Sequence, residues 1–379
     1  MNLRFVFVAC LLVSLPRVAV ALDYVSLTRD GKPIHLAGKV LTEAQDGGLL
    51  LQDREGIQWA VRAEELVKRT QDETVYQPMQ QKELQAKLAQ EMPGFRIHTT
   101  AHYLICYNTS LAYAQWCGAL YERLCWSFQN YWKKRGFELR DPEIPLVALV
   151  FDTKANYERY ARAELGDAVA SIVGYYSRRT NRVTMFDLTK MNGLQGVGGR
   201  IGNTAQINWL LMQPGAERMV ATIIHEATHQ LAHNCGMHGR YADIPLWVSE
   251  GLAVYFETPD LRSKRGWRNI GGVNRSRLDR FRRYLPTRQP NSLETLIADD
   301  KRFKNLDTGI DAYAEAWSLN HFLIHRRCEQ YVKYLTALSQ KGPLLYDTPE
   351  ERVQAFTDAF GANPAELDAD FLRYMKTVR

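Results

Sequence analysis

The sequence lacks several features that would assign it to common functional classes. Beyond residue 21 it has no apolar run long enough to span a bilayer. It has no C-x-x-C pair, which argues against a zinc site built from cysteines. Its formal charge is only +6 over 379 residues, too weak to indicate nucleic-acid binding. The whole chain has the composition of an ordinary globular protein, with 46% hydrophobic and 24% charged residues.

The first residues predict export from the cell. Arg4 precedes the apolar run FVFVACLLVSL, and small residues follow at 19–21. This order is typical of a secretory signal peptide over 1–21, cleaved near Ala21. Removing Arg4 and Arg17 lowers the formal charge from +6 to +4. The expected location is outside the cytoplasm, either secreted or in the periplasm and cell envelope, where conditions are oxidising.

Five cysteines remain beyond the predicted signal peptide: Cys106, Cys117, Cys125, Cys235 and Cys328. Because five is odd, at least one is free or pairs between chains. One hypothesis is a disulfide between Cys235 and Cys328.

Composition divides the rest of the chain into three parts. Residues 22–75 alternate short apolar strands with Gly and Asp breaks, a pattern that favours a small SH3-like barrel. The alternative is a β-meander without a binding role. Residues 76–94 predict a linker helix. Over 95–379 strands precede helices, with a hairpin around Thr180-Asn181 and mostly helix after Gln213, which indicates an α+β domain.

The stretch IIHEATHQLAHNCGMH, residues 223–238, carries the clearest chemistry. Apolar periodicity predicts a buried helix, from which His225 and His229 leave the same face one turn apart. Two imidazoles placed in this way can bind one zinc ion. Glu226, beside the first histidine, can reach a bound water without binding the metal.

A catalytic zinc of this kind needs a third protein ligand. His233 lies about 12 Å along the helix axis from His225, too far for one ion to bind both easily. The metzincin pattern H-E-x-x-H-x-x-G-x-x-H would have Gly and His where this chain has Ala232 and Cys235, and Cys would be an unusual ligand. His238 lies past the helix end and out of register. Glu250 is the better candidate, because IPLWVSEGLAVYFE predicts a second buried helix in which a lone carboxylate needs a partner. Pairing of Glu250 with a basic side chain is the alternative.

These residues resemble a known family. H-E-x-x-H followed about twenty residues later by SEGLA is similar to the gluzincins, zinc peptidases that include thermolysin-like and aminopeptidase N-like enzymes. The chain looks most like a secreted bacterial branch, the domain of unknown function 1570. The similarity covers 95–379, through VGYYSRRTNRVTMFD, SLETLI and AYAEAWSLNHFLIHR, and excludes 22–75. It implies a gluzincin-like fold.

The resemblance also implies a mechanism. One catalytic zinc would be held by His225, His229 and Glu250, with Glu226 as general base in hydrolysis of a peptide or protein substrate. Strand 183–188 would pair with the extended substrate. Tyr313 or His321 would stabilise the oxyanion. 

Two departures from the family qualify this picture. The aminopeptidase strand Gly-x-Met-Glu-Asn is replaced by VTMFDL, which favours an endopeptidase. Val254 stands where thermolysin-like members carry an Asp that orients a histidine, so that support must come from elsewhere.

Other hypotheses stay open. The protein could be a non-catalytic binding or structural protein of the cell envelope that keeps the peptidase fold, although an intact Glu226 argues against this. It could also be a protease that processes itself or a partner bound by its N-terminal barrel.

The basic segment 261–288 contains ten Lys and Arg residues and one acidic residue, Asp279. It either attracts an acidic or envelope substrate or is a solvated helix face with internal ion pairs. The glycine-rich loop 190–203 lacks the Lys-Ser/Thr of a phosphate-binding loop.

Overall fold

The computed structural model describes residues 20–190, 203–213, 215–258 and 270–379. The predicted signal peptide lies outside these residues except for its last two positions. Most of the glycine-rich loop and the start of the basic segment also lie outside them. The described chain forms two compact units, one of residues 20–54 and 59–77 and the other of residues 55–58 and 78–379. Within the described ranges no helix has both the length and the apolar character needed to cross a membrane.

The first unit is a five-stranded sheet of order β4-β3-β2-β1-β5. Its strands are β1 (Ala21–Arg29), β2 (Lys32–Glu43), β3 (Leu49–Asp53), β4 (Gln58–Val61) and β5 (Leu66–Val75). Asp30 and Gly31 both have positive φ, which is the two-residue turn that matches the twist of a β-hairpin. Val25 and Leu27 of β1 pack with apolar residues of β3 and β4 in a small core.

The sheet differs from the predicted SH3-like barrel. Within the described residues the edge strands β4 and β5 do not pair with each other, so no closed barrel is seen. Strand β5 has the sequence LVKRTQDETV and is exposed along nearly its whole length. It has no alternation of apolar residues and therefore was not predicted as a strand. Charged side chains on such an edge hinder pairing with other chains.

The second unit has five strands and thirteen α-helices in its described residues. The strands are β6 (Arg96–Thr99), β7 (Tyr103–Tyr107), β8 (Leu146–Phe151), β9 (Gly174–Ser177) and β10 (Arg182–Phe186). The helices are α1 (Gln81–Glu91), α2 (Leu111–Lys133), α3 (Lys154–Leu165), α4 (Thr204–Leu211), α5 (Ala216–Asn234), α6 (Leu246–Phe256), α7 (Arg275–Tyr284), α8 (Ser292–Ala298), α9 (Lys301–Lys304), α10 (Gly309–Arg326), α11 (Cys328–Ser339), α12 (Pro349–Phe360) and α13 (Pro364–Met375). The predicted α+β class is confirmed.

The sheet of the second unit has the order β6-β7-β8-β10-β9. Strands β7, β8 and β10 run parallel and every one of their residues is buried, as expected for strands covered on both faces. The hairpin predicted around Thr180-Asn181 is confirmed, because β9 and β10 pair antiparallel. Its Asn181 takes the positive φ that the tight turn requires.

The strand predicted to pair with substrate does not lie at an edge. Strand β10 pairs with β8 on one side and with β9 on the other, so its backbone groups are already used. The two edge strands of this sheet are β6 and β9, and β9 is the one that packs against α5. The prediction for 183–188 is therefore wrong, because sequence order alone did not show that β9 is the outer strand.

Helices α6 and α10 form the centre of the helical half. Helix α10 contacts α6, α7, α9, α11 and α13, and it is almost entirely buried between Ala314 and Ile324. Helix α6 contacts both α5 and α10. This arrangement brings α10, which is distant in sequence, to a common centre with α5 and α6.

Candidate metal centre

Helix α5 presents two histidines to one point in space. Its buried face carries Val220, Ile223 and Leu231 and packs against β9, β10 and α2. The Nε2 atoms of His225 and His229 lie 3.1 Å apart, and the ring planes are 81° to each other. The four-residue spacing thus produces the convergent geometry that helical periodicity predicts.

The carboxylate of Glu250 reaches the same point from α6. Its Oε2 lies 3.1 Å from His225 Nε2, and its Oε1 lies 3.5 Å from His229 Nε2. Helix α6 is fixed at its start, because the Leu246 N–H donates to Asp300 Oδ1 over 3.0 Å. Arg352 in turn donates to Asp300 over 3.0 Å. The three ligand atoms of the two histidines and Glu250 all lie within 4.8 Å of one another.

Glu226 lies beside this group without joining it. Its Oε2 accepts a hydrogen bond of 2.8 Å from the backbone N–H of Tyr176, on the edge strand β9. Burial raises the pKa of Glu226, while the nearby histidines oppose the rise. A carboxylate of this kind, oriented by one oxygen and close to the ligand group, has the geometry of a proton acceptor.

Glu257 can orient the His225 ring through a hydrogen bond, which the apolar side chain of Val254 cannot do. Its Oε2 lies 3.2 Å from His225 Nδ1, the ring nitrogen that points away from the ligand group. Its Oε1 accepts a hydrogen bond of 2.8 Å from Asn274, the residue that caps α7. Sequence reasoning missed this residue, although a seven-residue offset from Glu250 puts both on one helix face. Such outer carboxylates fix the orientation of a histidine ligand.

The titration of the ligand group reflects close pairing in a buried place. Burial alone would lower the pKa of His225, but hydrogen bonds to Glu250 and Glu257 outweigh it and raise that pKa. Burial would likewise raise the pKa of Glu250, yet the two histidines hold it well below its usual range. Three carboxylates, those of Glu226, Glu250 and Glu257, thus lie around the two imidazoles. Such a cluster favours a cation.

Tyr313 and His321 have different surroundings. Tyr313, on α10, lines a cavity of about 330 Å³ together with His225, His229, Glu226 and Glu250. Burial raises its pKa, helped by the charge of Glu250 and Glu226. His321 is absent from the described lining of that cavity, and its Nδ1 lies 2.9 Å from the Tyr374 hydroxyl. Burial lowers the pKa of His321 to about 4. Of these two residues, Tyr313 is the one that lines the cavity of the ligand group.

The other polar residues of the opening stretch stay outside the ligand group. His233 lines the cavity and stacks on Tyr176 with ring centroids 5.6 Å apart. Its Nδ1 and both ring nitrogens of His238 have no hydrogen-bond partner among the described residues. Burial lowers the pKa of His238 to about 3. Cys235 is a buried free thiol that caps α5.

The hypothesis of a Cys235–Cys328 disulfide is wrong, because both are free cysteines.

In the described part of the basic segment, some arginines form internal ion pairs and others line a cavity. Arg280 pairs with Asp311 at 2.6 Å, and Arg288 pairs with Glu315 at 2.7 Å, which are internal ion pairs. Arg275 and Arg277 instead line a second cavity.

The part of the chain that carries this group matches a family of unknown function. The family described as Protein of unknown function (DUF1570) matches residues 219–345, a segment that runs from α5 into the loop after α11. The predicted resemblance to that domain is confirmed for this segment, which contains all three ligand candidates, Glu226 and Tyr313. Among curated proteins, none matches the chain.

Proposed function

We propose that the protein is a zinc-dependent peptidase. The observation that carries the proposal is the convergence of two imidazole nitrogens and one carboxylate in a buried cleft, with a second acidic side chain, that of Glu226, adjacent. Two histidines and one glutamate are a common ligand set for catalytic zinc. The remaining coordination position is then free for water or substrate.

The residues fit zinc in distance as well as in type. Tetrahedral ligands about 2.1 Å from an ion lie roughly 3.4 Å from one another. The corresponding separations here are 3.1, 3.1 and 3.5 Å. The side chains of His225, His229 and Glu250 are only 13–16% exposed, which limits competition by bulk water.

The proposed mechanism divides the chemistry among this chain's own residues. When bound, zinc would acidify a water molecule and polarise the scissile carbonyl. Glu226, held by the Tyr176 N–H, would accept the water's proton and pass it to the leaving amine. Tyr313 would donate its phenolic proton in a hydrogen bond to the oxyanion, because its raised pKa keeps it protonated.

The substrate would bind along β9 rather than along β10. The Tyr176 N–H points away from β10 and already donates to Glu226, so a peptide would pair with the other outward-facing backbone groups of β9. An extended peptide can add to such a free edge. Binding along a strand that passes the catalytic residues suits an endopeptidase.

The signal-peptide pattern of residues 1–21 supports export of the proposed enzyme from the cytoplasm.

The test combines metal content with cleavage of a peptide library. We expect about one zinc per chain in the wild type and in Glu226→Gln, with cleavage only in the wild type and a loss of at least about 10³-fold in the variant. Glu329→Gln, an exposed change on α11, is the matched control and should behave as the wild type. Protein without zinc, or cleavage indifferent to Glu226, would refute the proposal. Zinc without cleavage would favour the non-catalytic binding protein.

A further inference from the structure

A second cavity lies beside the metal centre. Its volume is about 750 Å³, and its walls are the first turns of α5, the end of α6 and the first turn of α7. Glu257 links it to the centre, because this side chain lines the cavity and contacts His225 Nδ1.

The helix face that holds the metal ligands continues into this cavity. Arg218, Thr222, His225 and His229 follow one another at spacings of four, three and four residues. Such spacings keep all four side chains within one narrow stripe of α5. The cavity is lined by Arg218 and Thr222, the first two members of that stripe. Arg218 lies about 10 Å along the axis from His225, roughly three residues of an extended peptide.

The described lining of the cavity carries a net positive charge. The charged side chains among its described lining are Arg218, Arg275, Arg277 and Glu257. Glu257 already contacts His225 and Asn274, and Arg277 lies 3.8 Å from its Oε1. Arg218 and Arg275 both line the cavity and are exposed. The site therefore holds more positive charge than its own carboxylate can balance, and a guanidinium binds carboxylates through two parallel hydrogen bonds.

We infer that this cavity is a specificity subsite that takes a carboxylate of the peptide substrate, held by Arg218 and Arg275 with Arg277 behind them. The inference rests on the proposed function for the identity of the substrate as a peptide. Carboxylates are the anionic groups that an unmodified peptide carries, either on an Asp or Glu side chain or at its C-terminus. The subsite thus selects acidic peptides a few residues from the bond that is cleaved.

The test measures peptide binding separately from cleavage. Zinc-loaded and zinc-free Glu226→Gln protein is titrated with blocked peptides in which Glu replaces Gln at one position at a time. At one position we expect Glu to bind about tenfold tighter than Gln, a preference that weakens as salt is raised. A peptide with a free C-terminal carboxylate, compared with its amide, shows whether the terminus is the source of the anion.

Arginine variants identify the groups that recognise the carboxylate. In the double variant Arg218→Gln with Arg275→Gln, the ratio of Glu to Gln affinity should fall to about one. Arg283→Gln, an exposed change on the same helix α7 that removes one positive charge, should keep the ratio. Arg275→Glu should reverse the preference toward Lys. Circular dichroism spectra and melting curves confirm that each variant is folded.

The outcomes separate this inference from the proposed function. Binding without any preference for a carboxylate, or a preference that survives in the double variant, overturns the subsite even if the wild type cleaves peptides. If binding shows an arginine-dependent preference for a carboxylate but the wild type cleaves no peptide, the subsite is supported and the proposed peptidase activity is refuted.

Discussion

At the scale of single residues, Glu257 has the clearest testable role. It contacts the ring nitrogen of His225 that faces away from the ligand group, so it would fix the ring and the tautomer of that ligand. Glu257 is not itself within the group that could hold the ion. Its effect on a bound metal is therefore indirect.

Glu257→Gln should weaken zinc binding by about 10- to 100-fold without abolishing it. The reason is that an amide is a poorer acceptor than a carboxylate for the His225 N–H. Competition with a zinc chelator of known affinity measures the change. Glu329→Gln is the control, and Glu250→Ala should lose far more affinity because it removes a ligand. Unchanged affinity in Glu257→Gln would contradict the role given to this residue.

At the scale of elements, the position of Glu250 depends on the close approach of α6 to α10. Gly251 follows Glu250, and a Cβ at this residue would lie 2.0 Å from Asn320 Nδ2 and 2.8 Å from the Ala316 carbonyl oxygen. Asn320 cannot move away freely, because it donates to the carbonyls of Trp247 and Ala316. The glycine in SEGLA is thus required by packing.

Gly251→Ala should destabilise the protein by about 1–3 kcal/mol, since the added methyl group must push α6 away from α10. The same displacement should weaken zinc binding, because α6 carries Glu250. Thermal unfolding and chelator competition measure the two effects.

Gly342→Ala is the control for the added methyl group. At that position the nearest atom is the end of the exposed Leu345 side chain at 3.3 Å, which can move. We expect little change in stability there. Equal melting temperatures for Gly251→Ala and the wild type would show that the α6–α10 contact has more room than the distances indicate.

At the scale of the whole molecule, the fold is held together without disulfide bonds between its described cysteines. Cys106, Cys117, Cys125 and Cys235 are buried and free, and Cys328 is partly exposed. Burial raises the pKa of Cys106 and of Cys235 to about 12 in each case. A thiol with such a pKa is almost entirely protonated at neutral pH and reacts slowly.

Thiol titration should therefore depend strongly on folding. In the chain that begins at Leu22, we expect at most one thiol, that of Cys328, to react with a neutral thiol reagent in the native state. All five should react in denaturant without any reductant. Peptide mapping under non-reducing conditions checks the same point, and a linked Cys235–Cys328 peptide would contradict it.

Local patterns predicted several elements of the second unit. Apolar periodicity located α5, α6 and the β9–β10 hairpin, because these elements bury one face or most of their length. It failed for β5, whose charged sequence has no buried face. It also could not order the strands in the sheet, and this is why β10 was mistaken for the edge.

The sequence by itself determined the pairing of His225 with His229, because four residues return an α-helix to the same face wherever the helix lies. Only the tertiary structure decided which groups meet that pair. Glu250, Glu257, the Tyr176 backbone and Tyr313 belong to α6 and its end, β9 and α10. Their convergence depends on contacts between elements far apart in sequence, such as the packing of α6 on α10 at Gly251, and no local spacing specifies those contacts.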